Sequence, residues 1–230
     1  MSRVRPISIV AASIAFAIAL YLALPRPVDM GRWAIGALLG VGVSLFGFQA
    51  AARARGALPA RSFQGRLTLG AASTAAGAIV GGLLLGVLTL LARDQPPLRA
   101  RFAGRLHEPA WRPWALAFES SILEEMMFRL LIMSIVALLV LLILRGRDPG
   151  RRPFVIGLVV STLLFGLAHV PAWASATATT LPLVVTVVAL NGIGGLLLGW
   201  IYWYWGLPYA ICCHFAADVV IQGLGPRVLG

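Results

Sequence analysis

Charged residues are scarce in this chain: they fill 12% of 230 positions, with eight acidic side chains and no lysine. A soluble domain carries about 25% charged and about 45–50% apolar residues. Here 60% of residues are hydrophobic and the mean hydropathy is +0.90. One globule of this length cannot bury that much apolar surface, so an ordinary soluble enzyme or binding domain is excluded and lipid is required. Cysteine is nearly absent too. Cys212 and Cys213 are adjacent within an apolar run, which excludes a disulfide framework and a metal-finger spacing. They read as small packing residues. No soluble appendage, low-complexity tail or obvious repeat is present, and H-E-x-x-H, the signature of a standard zinc-protease helix, is missing.

What is present is arginine, 19 basic residues in all and a net charge of +11. Such a balance can mark a nucleic-acid partner. All but Arg129, however, lie between or at the ends of apolar runs, as loops facing anionic lipid headgroups do. The bilayer is therefore the expected partner and nucleic acid is not. Exclusive use of arginine fits a high-GC genome and hence a bacterial cell membrane.

A helix needs roughly 20 apolar residues to cross the hydrocarbon core. The runs that qualify, or nearly so, are Ile7–Leu24, Trp33–Ala52, Leu67–Ala92, Trp114–Leu144, Phe154–Val170, Leu181–Trp205 and Leu207–Ile221. The first is expected to be a retained helix closed by Pro25 and Pro27, since its apolar core exceeds a signal-peptide h-region and no small-x-small cleavage site follows. The fourth would extend about 46 Å, so it is tilted, kinked or longer than the core. Arg93–Arg112 is the longest polar connector. Trp111 and Trp114 mark a membrane boundary, and the aromatic cluster Trp200–Trp205 reads as an interface belt. Asn191-Gly192 is a candidate bend in the sixth run. The fold class expected is all-α: a polytopic transmembrane bundle of about seven helices. It forms one membrane domain, residues 1–230, with the chemistry-bearing core in residues 111–222.

Ionisable groups inside a span cost on the order of 2.5–3.5 kcal/mol each on insertion scales. This chain nevertheless places Glu119, Glu124, Glu125 and Arg129 in the fourth run, His169 in the fifth, and His214 and Asp218 in the seventh. Pairing, a water-filled cavity or a bound ion must offset that cost. At about 100° per residue, Glu125 and Arg129 lie on one helix face and can form an ion pair, while Glu124 points elsewhere and is freer to exchange protons. Phe165 and His169 share a face, as do His214 and Asp218. Glu119 is expected to face the interface, and His107 to be solvated in the connector.

Two chemistries suit this set. In one, Glu124 and His169 hold and deprotonate a water that attacks a peptide carbonyl, a desolvated carboxylate being the stronger base. His214 with Asp218 then stabilises the oxyanion. In the other, Glu124, His169, His214 and Asp218 coordinate a divalent metal, zinc among the candidates, whose bound water is the nucleophile. The cofactor is thus either none or a divalent metal.

Glu124-Glu125-Met126-Met127-Phe128-Arg129 reads EExxxR, Phe165 to His169 reads FxxxH, and His214 to Asp218 reads HxxxD. In this order on successive spans, they resemble the CAAX-protease and bacteriocin-processing family, also called the Abi or type II CAAX prenyl endopeptidase family. The resemblance covers Glu124 to Asp218 and does not reach the first three runs. It implies an intramembrane endopeptidase with Glu124 as base, His169 as its partner, and His214 and Asp218 at the oxyanion site. Glu125, Arg129 and Phe165 would be supporting structure. The chain departs from the family pattern at Asp218, where asparagine is common. The substrate implied is a membrane-associated peptide or protein: a prenylated C-terminus, a bacteriocin leader or an anchored regulator. The competing classes are a non-catalytic scaffold or bacteriocin-immunity factor, and a proton-coupled transporter, although the paired broken helices of a transporter are not evident.

Overall fold

The computed structural model describes residues 6–24, 28–56, 58–94, 99, 102–144, 148–174 and 179–230. Among them, seven helices are long and apolar enough to cross a membrane, and there is no strand. They are α1 (Pro6–Ala23), α2 (Met30–Ala54), α3 (Phe63–Leu91), α4 (Arg112–Ile143), α5 (Arg152–Ala174), α6 (Leu181–Tyr204) and α7 (Leu207–Leu229). The chain is an integral, multi-pass membrane protein with an all-helical fold. Its outer surface agrees: Leu38 on α2, Leu83 on α3 and Ile143 on α4 are 72%, 65% and 80% exposed, which only a lipid environment accommodates.

The helix ends depart from the hydropathic runs for identifiable reasons. α2 and α3 begin three and four residues before those runs, at Met30 and Phe63, capped by Asp29 and Ser62. The Asp29 side chain accepts from the backbone N–H groups of Gly31 and Arg32, and Ser62 from that of Gly65. A helix starts where its free N–H groups find an acceptor, not where hydropathy rises. α5 continues through Pro171, so His169 lies inside the helix rather than at its end. α6 runs helically through Asn191-Gly192. α7 continues past the expected end at Ile221 to Leu229, because Gly225, Pro226 and Leu229 are buried there, Gly225 directly under the Phe102 ring. Pro25 and Pro27 lie outside the described residues.

α4 is the central element, packed by α1, α2, α5 and α7. Its first part is α-helical to Glu124, residues Glu125–Met133 form a π-helical stretch, and Ser134–Ile143 returns to α. The wider turns of a π segment are usually found at functional sites, and nothing in the hydropathy pattern announced them. The aromatic cluster is also only partly a belt. Trp200 and Tyr204 face outward, but Tyr202 is fully buried and its hydroxyl lies 2.7 Å from Ser134 Oγ on α4.

Two devices place α7. On α3, Gly77 and Gly81 meet its backbone: a Cβ at Gly77 would lie 1.9 Å from the Cys213 carbonyl oxygen, and one at Gly81 2.7 Å from that of Ala217. Small residues allow such approach where lipid supplies no hydrophobic driving force between helices. At the other end, Gly206 turns α6 into α7 with φ +113°. The exposed carbonyls of the α6 C-terminus accept from arginines of the α2–α3 connection, Arg55 to Tyr202 and Arg61 to Tyr204 and Trp205. These cations also complement the helix dipole. Replacing Gly77 by valine is expected to destabilise the protein by about 1–3 kcal/mol or more, measured by unfolding in detergent. Gly82→Ala, on the same helix with nothing within 4 Å, should not destabilise the protein, since alanine is the better helix former.

Candidate active site

α4, α5 and α7 bring the ionisable side chains of the spans together. Glu124, the last α-helical residue before the π segment, points Oε2 at two imidazoles: it is 3.6 Å from His169 Nε2 and 3.6 Å from His214 Nε2. Those distances exceed a direct hydrogen bond, and polar groups so separated are the sort that a water bridges. The Glu124 and His169 side chains are 28% and 24% exposed, while Glu124 Oε2 itself is buried without a hydrogen-bond partner among the described residues. His169 Nδ1 lies 2.8 Å from the Phe165 carbonyl oxygen. Because a carbonyl only accepts, the ring proton sits on Nδ1 and the Nε2 lone pair faces Glu124.

Glu125 points the other way, into the protein, and is fully buried with Arg129. Its Oε2 stands 3.5 Å from Arg129 Nε, the pairing expected from their spacing. The structure adds a second partner: His214 Nδ1 donates to Glu125 Oε1 at 3.0 Å. The closest carboxylate to His214 is therefore Glu125 rather than Asp218, whose Oδ2 is 3.8 Å from Nε2. Helical spacing identifies neighbours on one helix, and this contact runs between two. None of the Arg129 side-chain nitrogens has a hydrogen-bond partner among the described residues. Its charge is met by Glu125 and by the face of Phe165, whose ring centre is 4.4 Å from the guanidinium carbon. Phe165 also packs on Phe128, His169 and His214, so one ring touches both imidazoles and the buried cation.

The cavity beside this cluster has a volume of about 360 Å³. Glu119, Ser120, Glu124, His169, His214 and Asp218 form its polar corner, and Leu84, Leu88, Phe102, Val187 and Leu190 its apolar walls. α3 and α6 thus supply walls although neither carries a motif. Glu119, expected at the interface, lines the cavity instead. It lies five residues before Glu124, and at 100° per residue that spacing returns near the direction of Glu124 only after an error of about 140°, so sequence spacing alone did not unite them. Ser120, which spacing reasoning passed over, donates to Asp218 Oδ2. The i,i+4 relation of Ser120 to Glu124 is the signal that would have found it. Asn191 also reaches the cavity, its amide donating to the Val187 carbonyl at 2.8 Å. His107 is exposed in the connector.

Among the described residues, no group of three His, Cys, Asp or Glu side chains is arranged to hold a metal ion.

Residues 106–220 match the family model described as type II CAAX prenyl endopeptidase Rce1-like. The matched stretch contains every side chain of the cluster, from Glu119 to Asp218. Neither the curated proteins nor the solved structures hold a match to this chain.

Removing one partner of a buried ion pair strands the other charge, at about 3–5 kcal/mol. Arg129→Met is therefore expected to lower unfolding stability in detergent by about that amount. Arg129→Met combined with Glu125→Gln should be less destabilised than the sum of the two single variants, because the stranded carboxylate is gone.

Proposed function

The chain belongs to the type II CAAX prenyl endopeptidase family, and on that premise we propose that it is an intramembrane endopeptidase cleaving a membrane-associated peptide or protein. The observation that carries the reading is the position of the Glu124 carboxylate, with one oxygen 3.6 Å from the Nε2 atoms of both His169 and His214 at the polar corner of a cavity. Membership of the family supports peptide hydrolysis in general. The mechanism that follows is our reading of the geometry.

A water held between Glu124 and His169 Nε2 has two acceptors for its hydrogens, leaving an oxygen lone pair directed outward. Glu124 takes one proton as that oxygen attacks the scissile carbonyl carbon. The carbonyl oxygen becomes an oxyanion, and His214, as an imidazolium with its Nδ1–H on Glu125, donates its Nε2–H to it. Glu125 on Nδ1 fixes the orientation of the imidazole, as a buried carboxylate does for a catalytic histidine. When the C–N bond breaks, the proton on Glu124 passes to the leaving amine. One water is consumed, one carboxyl and one amine are formed, and Glu124 returns to its starting state. Asp218, an acceptor rather than the amide donor common at this position, orients His214 in place of contacting the oxyanion.

The apolar walls suit a substrate segment that is itself at home in lipid. Exclusive use of arginine supports residence in a bacterial cell membrane, and residues 111–222 are proposed as the catalytic core. The metal-dependent alternative would use Glu124, His169, His214 and Asp218 as ligands, although no group of three such side chains among the described residues is arranged to hold an ion.

Glu124→Gln and His169→Ala are each expected to lower the cleavage rate by about 100-fold or more while the purified protein stays folded by circular dichroism. Full cleavage by Glu124→Gln would end the proposal. Prolonged treatment with a strong chelator should leave the rate of the wild type unchanged. A loss that added zinc restores would replace the metal-free mechanism with the metal-dependent one.

A further inference from the structure

α4 and α7 meet in two rungs one helical turn apart. On α4, Ser120 and Glu124 are four residues apart; on α7, Asp218 and His214 are four apart. Glu124 faces His214, and Ser120 faces Asp218. The first rung belongs to the chemistry proposed above. In the second, Asp218 orients His214, and Ser120 has no role although it lines the same cavity.

We propose that Ser120 is a positioning residue, whose hydroxyl donates to Asp218 and holds that carboxylate as an acceptor facing His214 Nε2. The proposal rests on the peptidase reading given above. Asp218 Oδ2 is 3.8 Å from Nε2, beyond hydrogen-bond range, so His214 does not itself hold the carboxylate. Among the described residues, no other side chain donates to Asp218. Ser120 has one hydroxyl hydrogen and three acceptors in reach: Asp218 and the carbonyls of Leu116, at 2.9 Å, and Ala117, at 3.3 Å. The carbonyls sit in a helix, where backbone N–H groups already engage them. A hydrogen bond to a carboxylate is roughly twice as strong as one between neutral groups, so the hydrogen goes to Asp218. The hydroxyl oxygen is then fixed on the face of α4 that also presents Glu124.

This assignment explains how the site works with aspartate where asparagine is common. An asparagine would offer an N–H toward the oxyanion; Asp218, with its Oδ2 occupied by Ser120, does not. It supplies negative potential beside His214 Nε2–H and keeps that ring in the plane from which it donates. Without Ser120, Asp218 is free to rotate away from His214, and the imidazole loses one of its three carboxylate neighbours.

The test uses the full-length protein purified in detergent. Ser120→Ala is expected to lower kcat by about ten- to a hundredfold, the rate equivalent of a hydrogen bond to a charged group, with KM little changed. Ser120→Thr, which keeps the hydroxyl, should retain most of the activity. Ser120→Ala should add no further loss to the residual rate of Asp218→Ala, because the hydroxyl acts through that carboxylate. An undiminished loss in that background, or a Ser120→Ala protein as active as the wild type, overturns the proposal. If Ser120→Ala does not fold, Ser120→Cys, of similar size but a weak donor, replaces it with the same expectations.

Infrared spectroscopy separates this proposal from the one it rests on. The carboxyl band of Asp218, identified by its loss in Asp218→Asn, should shift in Ser120→Ala whether or not any peptide is cleaved. A shift without peptidase activity in the wild type would sink the peptidase reading and leave the Ser120–Asp218 contact standing. An unshifted band sinks the contact.

Discussion

The Glu125 carboxylate, enclosed in protein at the middle of the bundle, is shared between Arg129 one turn along its own helix and His214 on α7. In a medium of low dielectric neither the carboxylate nor the guanidinium is tolerable alone, and each defines where the other must be. Because the third member sits on a different helix, the cost of burying charge becomes a constraint on helix position. α7 cannot slide or rotate against α4 without stranding a charge. Phe165 completes the enclosure, with its face on the cation and its ring packed on both imidazoles. Adjacent on the helix and so about 100° apart, the two glutamates diverge at the start of the π-helical stretch: Glu124 faces the cavity, Glu125 the interior.

That constraint is met only if the helices approach closely enough. Gly77 and Gly81 let α3 touch the backbone of α7 at the level of Cys213 and Ala217, immediately beside His214 and Asp218. Arg55 and Arg61 hold the other end of the hairpin by capping α6. The packing and the chemistry are therefore one problem. The same exclusion of water that makes the buried charges costly also strengthens each interaction they make with one another. Of the paired charges of the cluster, Glu124 and His169 keep the most side-chain exposure.

Much of the site was legible in linear spacing. Glu124, Glu125, Arg129, His169, His214 and Asp218 stood out because each is expensive in a span, and the ion pair of Glu125 with Arg129 followed from one helix face. Partners on different helices were not legible. The bond from His214 to Glu125, the position of Glu119 in the cavity and the contact of Ser120 with Asp218 all join residues whose spacing carries no relation, or pass through a change of helical pitch. The ends of α2, α3 and α7 moved for a related reason, since caps and packing, not hydropathy, terminate a helix.

The amino-acid sequence by itself determined that the chain is a bundle of membrane-spanning helices with a few costly charges in three of them, because hydrophobicity and helical periodicity are local properties. Tertiary structure alone decided which nitrogen faces which carboxylate, that α3 and α6 wall the cavity, and that Tyr202 turns inward. These depend on how near two helices come and how far one is rotated against the other. Glycine contacts, a π-helical turn and the pairing of buried charges set those distances jointly.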